Sequence, residues 1–590
     1  PTNVTISTGA STGGSLSGAL GQAGTSTINT SDIQTAINAG TSVAVVASGS
    51  ITQQAALTFN VAASGRTPTL TLNNSSGSKQ AITLAAITDN TTATGSGVNM
   101  TALSAGGAIT AGGAISLKGA LNLDNTYAVG GSTSGFITRD NAATQATTSV
   151  GISIGGTLSA ANVTNASDGI RIAGASASAI AVNNDPAAVN SVYPASYSLT
   201  ASKGDITIIG ENSGTSPAST VSFYNRSTSG AAAITATAGA VRITGKTNAT
   251  NAMTNYGMIN VIQTAINAAT GVNIEGAGTS QTAVVFLNRA STVVTNAAGD
   301  VTIIGNNAQA GNADGVILYN NASIAQNANG GNITIRSNNG IYHAGGISIA
   351  ANTSGNASVV TYDTSSGNKT SRIQGGLVVG AGSTSPIHYI QKTAGAANLL
   401  GGADMPGDIT VDNTYGCSGS GCTPISGFID YGNASTYAMN RSGGNTQVNG
   451  NLSGSSISIK SVGYETNGLT VASAASVTAK AGSVELTGVS NSTNGSVGVA
   501  VNGALRTTGT TGDITVRGIS TAAQGVLVDQ ANIISDSGSI GLYGSTLTTG
   551  AGVTATNALH VKNTTQILSA KQNLVLVGHN ASSDQGGVYT

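Results

Sequence analysis

The chain of 590 residues contains very little charge and few aromatic side chains. Charged residues make up 7% and aromatic residues 3%, and tryptophan is absent. Its 21 basic residues are matched by 22 acidic ones, so it lacks the basic surface that nucleic-acid binding requires. No apolar run approaches the roughly 18 residues of a membrane-spanning helix. Helix bundles are disfavoured too, because they depend on Leu, Glu, Lys and Arg.

Cysteine is almost absent as well. Cys417 and Cys422 are the first and last residues of the short sequence CSGSGC. This spacing predicts a local disulfide in an oxidising compartment. Free thiols are the alternative. A metal site would need further ligands, and no histidine lies nearby in the sequence. Because the loop is so short, the disulfide would add little stability through chain entropy.

The abundant residues are small or β-branched. Glycine accounts for 82 residues and hydrophobic residues for 39%, while the net charge is only −1. Disordered chains combine high net charge with low hydrophobicity, so this composition does not fit them. Val, Ile and Thr favour strands, and Gly and Asn favour turns. The composition therefore predicts short strands joined by tight turns.

One motif recurs along the chain at nearly regular intervals. Its copies are GDITIIG from Gly204, GAVRITG from Gly239, GVNIEG from Gly271, GDVTIIG from Gly299, GNITIRS from Gly331, GDITVDN from Gly407, GSVELTG from Gly482, GDITVRG from Gly512 and GSIGLYG from Gly538. Neighbouring copies mostly start 26 to 35 residues apart, and two further short apolar strands commonly follow each copy. A period of this length is typical of solenoids.

Each repeat predicts one coil of a solenoid. Apolar residues alternate within the strands, as Ile206 and Ile208 do, so one face points inward and the other into solvent. A single coil cannot bury its inner face, but stacked coils can. We therefore predict an all-β parallel β-helix (β-solenoid) with three short strands per coil of about 30 residues.

The predicted solenoid divides into two parts. Residues 1–100 are less regular and include a short helix at 32–39, for which Thr30, Ser31 and Asp32 offer a cap. Residues 101–590 are predicted as a continuous β-solenoid. The repeat is interrupted near 183–200, 351–400 and 413–450, where we predict loop insertions.

The repeats resemble a known family. The sequence SDIQTAINAGTSVAVVASGSITQ, followed by TPTLTLNN, GGAITAGGAISLKG and repeated GDITI, is similar to the filamentous-haemagglutinin-like exoproteins of Gram-negative bacteria. The resemblance covers nearly the whole chain, in the style of the repeat and not in a catalytic motif. It implies two-partner secretion, a right-handed parallel β-helix, and a role as adhesin, filament or stalk. The Asn-Pro-Asn type motif of the family's secretion domain is not found. With Pro1 first, we interpret the chain as a processed or excised piece of a longer exported protein.

The aspartate of the motif is a candidate acid. It recurs at Asp205, Asp300, Asp408 and Asp513. Some parallel β-helix proteins degrade polysaccharides with carboxylate pairs or calcium-bound acids. The structural alternative is a turn residue that bonds its own backbone. Repetition at one position of every repeat favours the structural role, since an active site is a single unusual place.

The histidines and aromatic residues give weaker signals. His343, His388, His560 and His579 are far apart and share no ligand spacing, so no metal site or cofactor is predicted. Aromatic rows can stack on sugar rings, with core filling as the alternative. The aromatic residues considered are Tyr193, Tyr197, Phe223, Tyr224, Tyr319, Tyr342, Tyr389, Tyr431 and Tyr437. The candidates for ligand contact are Tyr193, Tyr197, Tyr389, Tyr431 and Tyr437.

These observations lead to a structural function as the first expectation. We expect a rod segment of an extracellular bacterial filament, fibre or surface adhesin, with head-to-tail assembly as an option. The alternatives are a separate adhesin that binds carbohydrate or a host receptor and, less favoured, a polysaccharide-degrading β-helix enzyme. The expected partners are copies of the chain or cell-surface glycans. No nucleic-acid partner, membrane span, catalytic residue or cofactor is predicted.

Overall fold

A computed structural model defines the fold in two compact units, Pro1–Ala313 and Asp314–Thr590. The residues that it describes are 1–14, 24–126, 151–176, 181–184, 197–212, 219–224, 232–247, 258–278, 283–295, 299–307, 314–327, 331–350, 358–364, 371–373, 376–379, 387–393, 397–399, 403–413, 445–464, 466–491, 495–547, 557–563, 565–580 and 587–590.

The described part of unit 1 consists of short strands, one α-helix and a 3₁₀ turn at Thr12–Gly14. Its elements are β1 (Asn3–Ser7), β2 (Thr25–Asn29), α1 (Thr30–Asn38), β3 (Val43–Val46), β4 (Ile51–Gln53), β5 (Leu57–Phe59), β6 (Thr69–Ser78), β7 (Ile82–Leu84), β8 (Ile87–Asp89), β9 (Asn99–Ala105), β10 (Ile109–Ala111), β11 (Ile115–Leu117), β12 (Leu121–Asp124), β13 (Ile152–Ile154), β14 (Leu158–Ala160), β15 (Asp168–Ser176), β16 (Val182–Asn183), β17 (Ser198–Ala201), β18 (Asp205–Asn212), β19 (Val221–Tyr224), β20 (Ala232–Ala236), β21 (Ala240–Thr247), β22 (Ile259–Ile262), β23 (Thr264–Ala268), β24 (Gly271–Gly278), β25 (Val285–Asn288), β26 (Thr292–Thr295) and β27 (Asp300–Asn307).

The described elements of unit 2 are all strands. They are β28 (Asp314–Leu318), β29 (Ser323–Gln326), β30 (Ile333–Ser337), β31 (Gly340–His343), β32 (Ile347–Ile349), β33 (Ser358–Thr364), β34 (Ser371–Ile373), β35 (Leu377–Val379), β36 (Ile387–Thr393), β37 (Ala397–Leu399), β38 (Ala403–Asp404), β39 (Ile409–Asn413), β40 (Thr446–Val448), β41 (Leu452–Gly454), β42 (Ile457–Tyr464), β43 (Leu469–Val471), β44 (Ser476–Ala479), β45 (Val484–Asn491), β46 (Val499–Val501), β47 (Ala504–Thr507), β48 (Ile514–Ser520), β49 (Val526–Asp529), β50 (Asn532–Ser535), β51 (Ile540–Thr546), β52 (Leu559–Lys562), β53 (Gln566–Ser569), β54 (Leu574–Asn580) and β55 (Val588–Tyr589).

The strands of each unit form three parallel sheets. In unit 1, sheet A runs β2-β1-β4-β7-β10-β13-β16-β19-β22-β25, sheet B runs β3-β6-β9-β12-β15-β18-β21-β24-β27, and sheet C runs β5-β8-β11-β14-β17-β20-β23-β26. In unit 2, sheet A takes every third strand from β28 to β55, sheet C from β29 to β53, and sheet B from β30 to β54. Three consecutive strands thus make one coil, and the predicted parallel β-solenoid is confirmed.

The core is formed by stacked aliphatic residues. Ile206 of β18 lies beside Val241 of β21 in register, and Ile208 lies beside Ile243. All four side chains are fully buried. Neighbouring strands lie about 4.8 Å apart, so equivalent side chains contact each other from coil to coil. The alternation seen in the sequence is therefore the alternation between core and solvent.

The second glycine of the motif marks a tight corner. Gly174, Gly210, Gly245, Gly276 and Gly305 lie in register near the ends of five successive strands of sheet B in unit 1. A Cβ atom added to Gly210 would lie 2.3 Å from the carbonyl oxygen of Thr220, just before β19. The close approach of the chain as it turns into sheet A explains why the motif ends in glycine.

The predicted helix is present and closes a sheet edge. Helix α1 spans Thr30–Asn38 and is capped by Asn29, whose side chain accepts from the Ser31 N–H at 2.8 Å. The cap therefore precedes the predicted residues 30–32. Gln34 Oε1 and Asn38 Oδ1 accept backbone N–H groups of Thr58 and Asn60 at 3.1 and 2.6 Å. The helix thus takes the place of a sheet C strand and binds the edge of β5.

The heptapeptide IQTAINA of α1, residues 33–39, occurs again at residues 262–268 with a different structure. In the second copy, Ile262 ends β22, Gln263 adopts a left-handed φ of 53°, and Thr264–Ala268 forms β23. The preceding residues decide the outcome, because Asn29 starts a helix in one copy and β22 aligns the other with its neighbours in sheet A.

The structure differs from the prediction in two segments. Residues 351–400 were predicted as a loop insertion, but β33 to β37 lie there and pair in parallel with their neighbours. Residues 43–100 follow the same coil pattern as later ones, since β3, β6 and β9 pair in register. Of the other two predicted insertions, residues 185–196 and 414–444 lie outside the described residues.

Candidate functional site

The aspartate of the motif joins one coil to the next. Asp205 Oδ1 accepts the backbone N–H of Ala240 at 2.8 Å. Asp408 and Asp513 accept those of Ser456 and Ser539 at 3.1 and 2.7 Å. In each case the donor begins or directly precedes the neighbouring strand of sheet B. The structural role is present, but the predicted bond to the aspartate's own backbone is wrong, because the partner lies one coil further along the chain. Asp300 begins β27 in the same position of the motif.

The same kind of bond continues with other polar residues. His388 Nδ1 accepts the Asp408 N–H at 3.1 Å, one coil before Asp408 itself binds Ser456. Ser483 Oγ likewise accepts the Asp513 N–H at 3.1 Å. At Asp205, His388, Asp408, Ser483 and Asp513, the position before an apolar run of sheet B thus carries a side chain that binds the backbone of the next coil. We call this series the bracket ladder.

Charged residues of alternating sign occupy one register position of sheet B in unit 2. Arg336, Asp363, Lys392, Asp412 and Lys460 occupy one register position on five successive strands. Arg336 Nε lies 3.4 Å from Asp363 Oδ2. Opposite charges on neighbouring strands stabilise a sheet, whereas like charges destabilise it. These five residues, the charge ladder, therefore avoid the repulsion that stacking would otherwise create.

A buried polar and aromatic cluster lies in unit 2. His343 Nδ1 is 2.7 Å from Tyr362 Oη, and the Tyr362 and Tyr389 ring centroids are 5.8 Å apart. All three side chains are buried. Burial lowers the pKa of His343 from 6.5 to about 4 and raises the pKa of Tyr362 well above its usual 10. The imidazole is therefore neutral at neutral pH, and within the described residues its Nε2 has no hydrogen-bond partner.

Another buried tyrosine, Tyr197, lies in unit 1. The Tyr197 ring stacks on Phe223 with centroids 5.8 Å apart, and its hydroxyl lies 2.7 Å from Thr264 Oγ1. Burial raises the pKa of Tyr197. Tyr197 and Tyr389, two candidates for ligand contact, thus lie in the core. Their burial agrees with the core-filling alternative and corrects the exposed-row interpretation at these two positions.

The remaining predicted site residues are placed as follows. Tyr193, Tyr431, Tyr437, Cys417 and Cys422 lie outside the described residues. His560 packs edge-on against Tyr589 with centroids 5.1 Å apart, and His579 lies in β54.

Tyr319 and Tyr342, which were considered among the aromatic residues but were not chosen as candidates for ligand contact, lie together on the outer side of sheet A in unit 2. The Tyr319 and Tyr342 ring centroids are 5.7 Å apart. The Arg372 guanidinium carbon lies 4.6 Å from the Tyr342 centroid, and Arg372 Nη2 lies 3.3 Å from Asp314 Oδ2. Tyr319 is 40% exposed. We call these four residues the outer stack.

The described residues contain no group of three or more His, Cys, Asp or Glu side chains placed to hold a metal ion. Across the same part of the chain, no helix has the length and apolar character needed to cross a membrane. The chain matches no family model, no curated protein and no solved structure.

Proposed function

We propose that this chain is a structural segment of an extracellular bacterial filament, fibre or surface adhesin of the filamentous-haemagglutinin-like type. The observation that carries the proposal is the bracket ladder, in which Asp205, Asp408 and Asp513 each bind the backbone of the following coil. The recurring aspartate of the motif is thus used to join coils. Bonds of this kind between coils suit a protein whose role is to stay mechanically continuous along its length.

The distribution of polar groups supports a structural function over an enzymatic one. Catalysis concentrates unusual side chains in one place. In unit 2 the bracket ladder repeats one kind of bond on several strands of sheet B, and the charge ladder repeats one register position. The ionisable groups whose pKa is shifted most, Tyr197, His343, Tyr362 and Tyr389, are all buried, and His343 and Tyr362 bind each other. They serve as core residues in this proposal.

Cell-surface location and assembly can be tested together. Immunogold labelling of intact bacteria that produce the chain is expected to decorate the outer surface, with gene-deleted cells as the control. Electron microscopy of the purified chain is expected to reveal filaments of uniform width. Label confined to the cell interior would contradict the surface location. A sedimentation coefficient independent of concentration would contradict self-assembly.

A second candidate function is a separate adhesin that binds cell-surface carbohydrate or a host receptor. The specific observation in its favour is the exposed ring of Tyr319 within the outer stack. Binding and assembly are independent properties, so the two functions are distinguished by different measurements.

A further inference from the structure

The outer stack spans three successive strands of sheet A in unit 2. Strand β31 pairs with β28 on one side and with β34 on the other. Tyr342 lies in β31, Tyr319 directly follows β28, and Arg372 lies in β34. Arg372 is in register with Tyr342. The Tyr319 and Tyr342 rings therefore lie next to each other, and the Arg372 guanidinium covers the Tyr342 ring and reaches back to Asp314 of β28.

Local structure holds Tyr319 in place. Asn320 and Asn321 adopt left-handed φ values of 49° and 64°, and the Ala322 N–H donates to the Tyr319 carbonyl at 3.1 Å. Two left-handed residues form a tight turn that asparagine tolerates well. On the other side of the stack, Arg372 is held by its ion pair with the buried Asp314 carboxylate. The arrangement is thus built before any ligand arrives.

We propose that the outer stack is a binding site for an oligosaccharide, with one pyranose ring packed against the exposed part of Tyr319. A tyrosine ring offers an apolar face together with a polar hydroxyl, which suits the C–H face and the hydroxyls of a sugar. The guanidinium of Arg372, which is 47% exposed, supplies N–H donors for the hydroxyls of a neighbouring sugar ring. Two adjacent tyrosine rings and a guanidinium offer contacts to more than one sugar ring, which favours an oligosaccharide over a single sugar.

Two other Arg–Tyr contacts provide a comparison. Arg289 lies over Tyr224 at 5.6 Å and Arg517 over Tyr543 at 5.4 Å. Neither tyrosine belongs to the large exposed apolar side chains, whereas Tyr319 does. Tyr543 therefore gives a control tyrosine, since its ring lies under an arginine as Tyr342 does and it is not among the large exposed side chains.

Binding can be measured on the full chain by saturation-transfer NMR and calorimetry. The probes are soluble linear tetrasaccharides of glucose, galactose, mannose and N-acetylglucosamine. At least one is expected to bind. Tyr319→Ala is expected to weaken this binding roughly tenfold through loss of the ring contact, whereas Tyr319→Phe retains it and Tyr543→Ala leaves it unchanged. Circular dichroism checks that each variant is folded, and Tyr319→Leu repeats the test with the apolar bulk retained.

The proposal is overturned if none of the tetrasaccharides binds, or if Tyr319→Ala and Tyr319→Leu bind as the parent chain does. Equal loss of binding in Tyr543→Ala would also overturn it, because the effect would not be specific to the stack. The inference deepens the adhesin alternative and does not depend on filament formation. Failure of assembly and failure of sugar binding are therefore separate results.

Discussion

The backbone N–H of Ala240 is bound by the carboxylate of Asp205 from the preceding coil, at 2.8 Å. The other carboxylate oxygen of Asp205 accepts from Arg242 Nη2 at 3.0 Å. One side chain thus holds both the backbone and a side chain of the next strand in sheet B. The Asp205 carboxylate thus stabilises the start of β21, where the pairing of β18 with β21 begins.

Removal of this carboxylate is expected to weaken unit 1. Asp205→Ala leaves the Ala240 N–H without its acceptor and should lower the free energy of unfolding by about 1–3 kcal/mol. Asp205→Asn keeps an oxygen acceptor and loses only the exposed ion pair, which contributes about 0–1 kcal/mol. Urea unfolding followed by circular dichroism measures both. Equal stability of the two variants would contradict the role of the backbone bond.

The glycine corner predicts a steric effect. Gly210→Ala places a Cβ atom 2.3 Å from the Thr220 carbonyl oxygen, so the backbone must move and stability should fall by roughly 1–3 kcal/mol or more. Gly112→Ala is the control, because its Cβ would lie 3.6 Å from the nearest atom. Thermal unfolding of the two variants is the measurement. A loss in Gly112→Ala as large as in Gly210→Ala would rule out the corner as the cause.

The buried imidazole predicts that stability depends on pH. Unfolded His343 binds a proton near pH 6.5, but the folded protein does so only near pH 4. The unfolded state therefore holds more protons between these values. Consequently the free energy of unfolding falls as the pH is lowered from about 6.5, by about 3 kcal/mol in total, and this contribution levels off below about pH 4.

The variant His343→Leu isolates this contribution from that of the carboxylates. It removes the ionisable group while keeping an apolar side chain in the core, so it should unfold with a shallower dependence on pH. Urea titrations at a series of pH values between about 7 and 4 compare it with the parent chain. Identical pH profiles for the two chains would show that His343 is not the group responsible.

The charge ladder predicts that the stability of unit 2 depends on the sign of the charge at each of its positions. Asp363→Lys places a third positive charge between Arg336 and Lys392, its neighbours in register, and should cost about 0.5–1 kcal/mol at low salt. Adding Arg336→Asp restores alternation with one neighbour and should recover part of the loss. Salt should reduce both effects. The measurement is the urea midpoint at low and high ionic strength, and a loss unchanged by salt or by the second substitution would argue against electrostatics.

The coil was predictable because its signal is local and repeated. Ile206 and Ile208 alternate with polar residues in a strand bounded by glycines, and each following copy repeats the pattern. The strands in segment 351–400 were not predicted, because Tyr362 and Tyr389 fill inward positions that aliphatic residues take in the other copies. The bond from Asp205 to Ala240 escaped it for another reason. Its partner lies 35 residues away, and only the stacking of coils brings the two together.

The heptapeptide IQTAINA shows where local sequence stops being informative. Ile37 and Ile266 occupy the same place in identical sequences, yet one lies in α1 and the other in β23. Asn29 and Asp32 favour a helix at the first copy, through the cap and the charge at the helix N-terminus. At the second copy the neighbouring strands β20 and β26 offer backbone partners. The outer stack was missed similarly, because its four members come from three strands.

The bracket ladder also bears on how such a chain can change its length. A coil beginning at a residue such as Asp408 or Asp513 brings an acceptor for the coil after it and an N–H for the coil before it. Recombination that adds or removes a whole coil therefore leaves no polar group stranded at the junction. Gain or loss of part of a coil would break both connections, so these genes should grow and shrink in whole-coil steps.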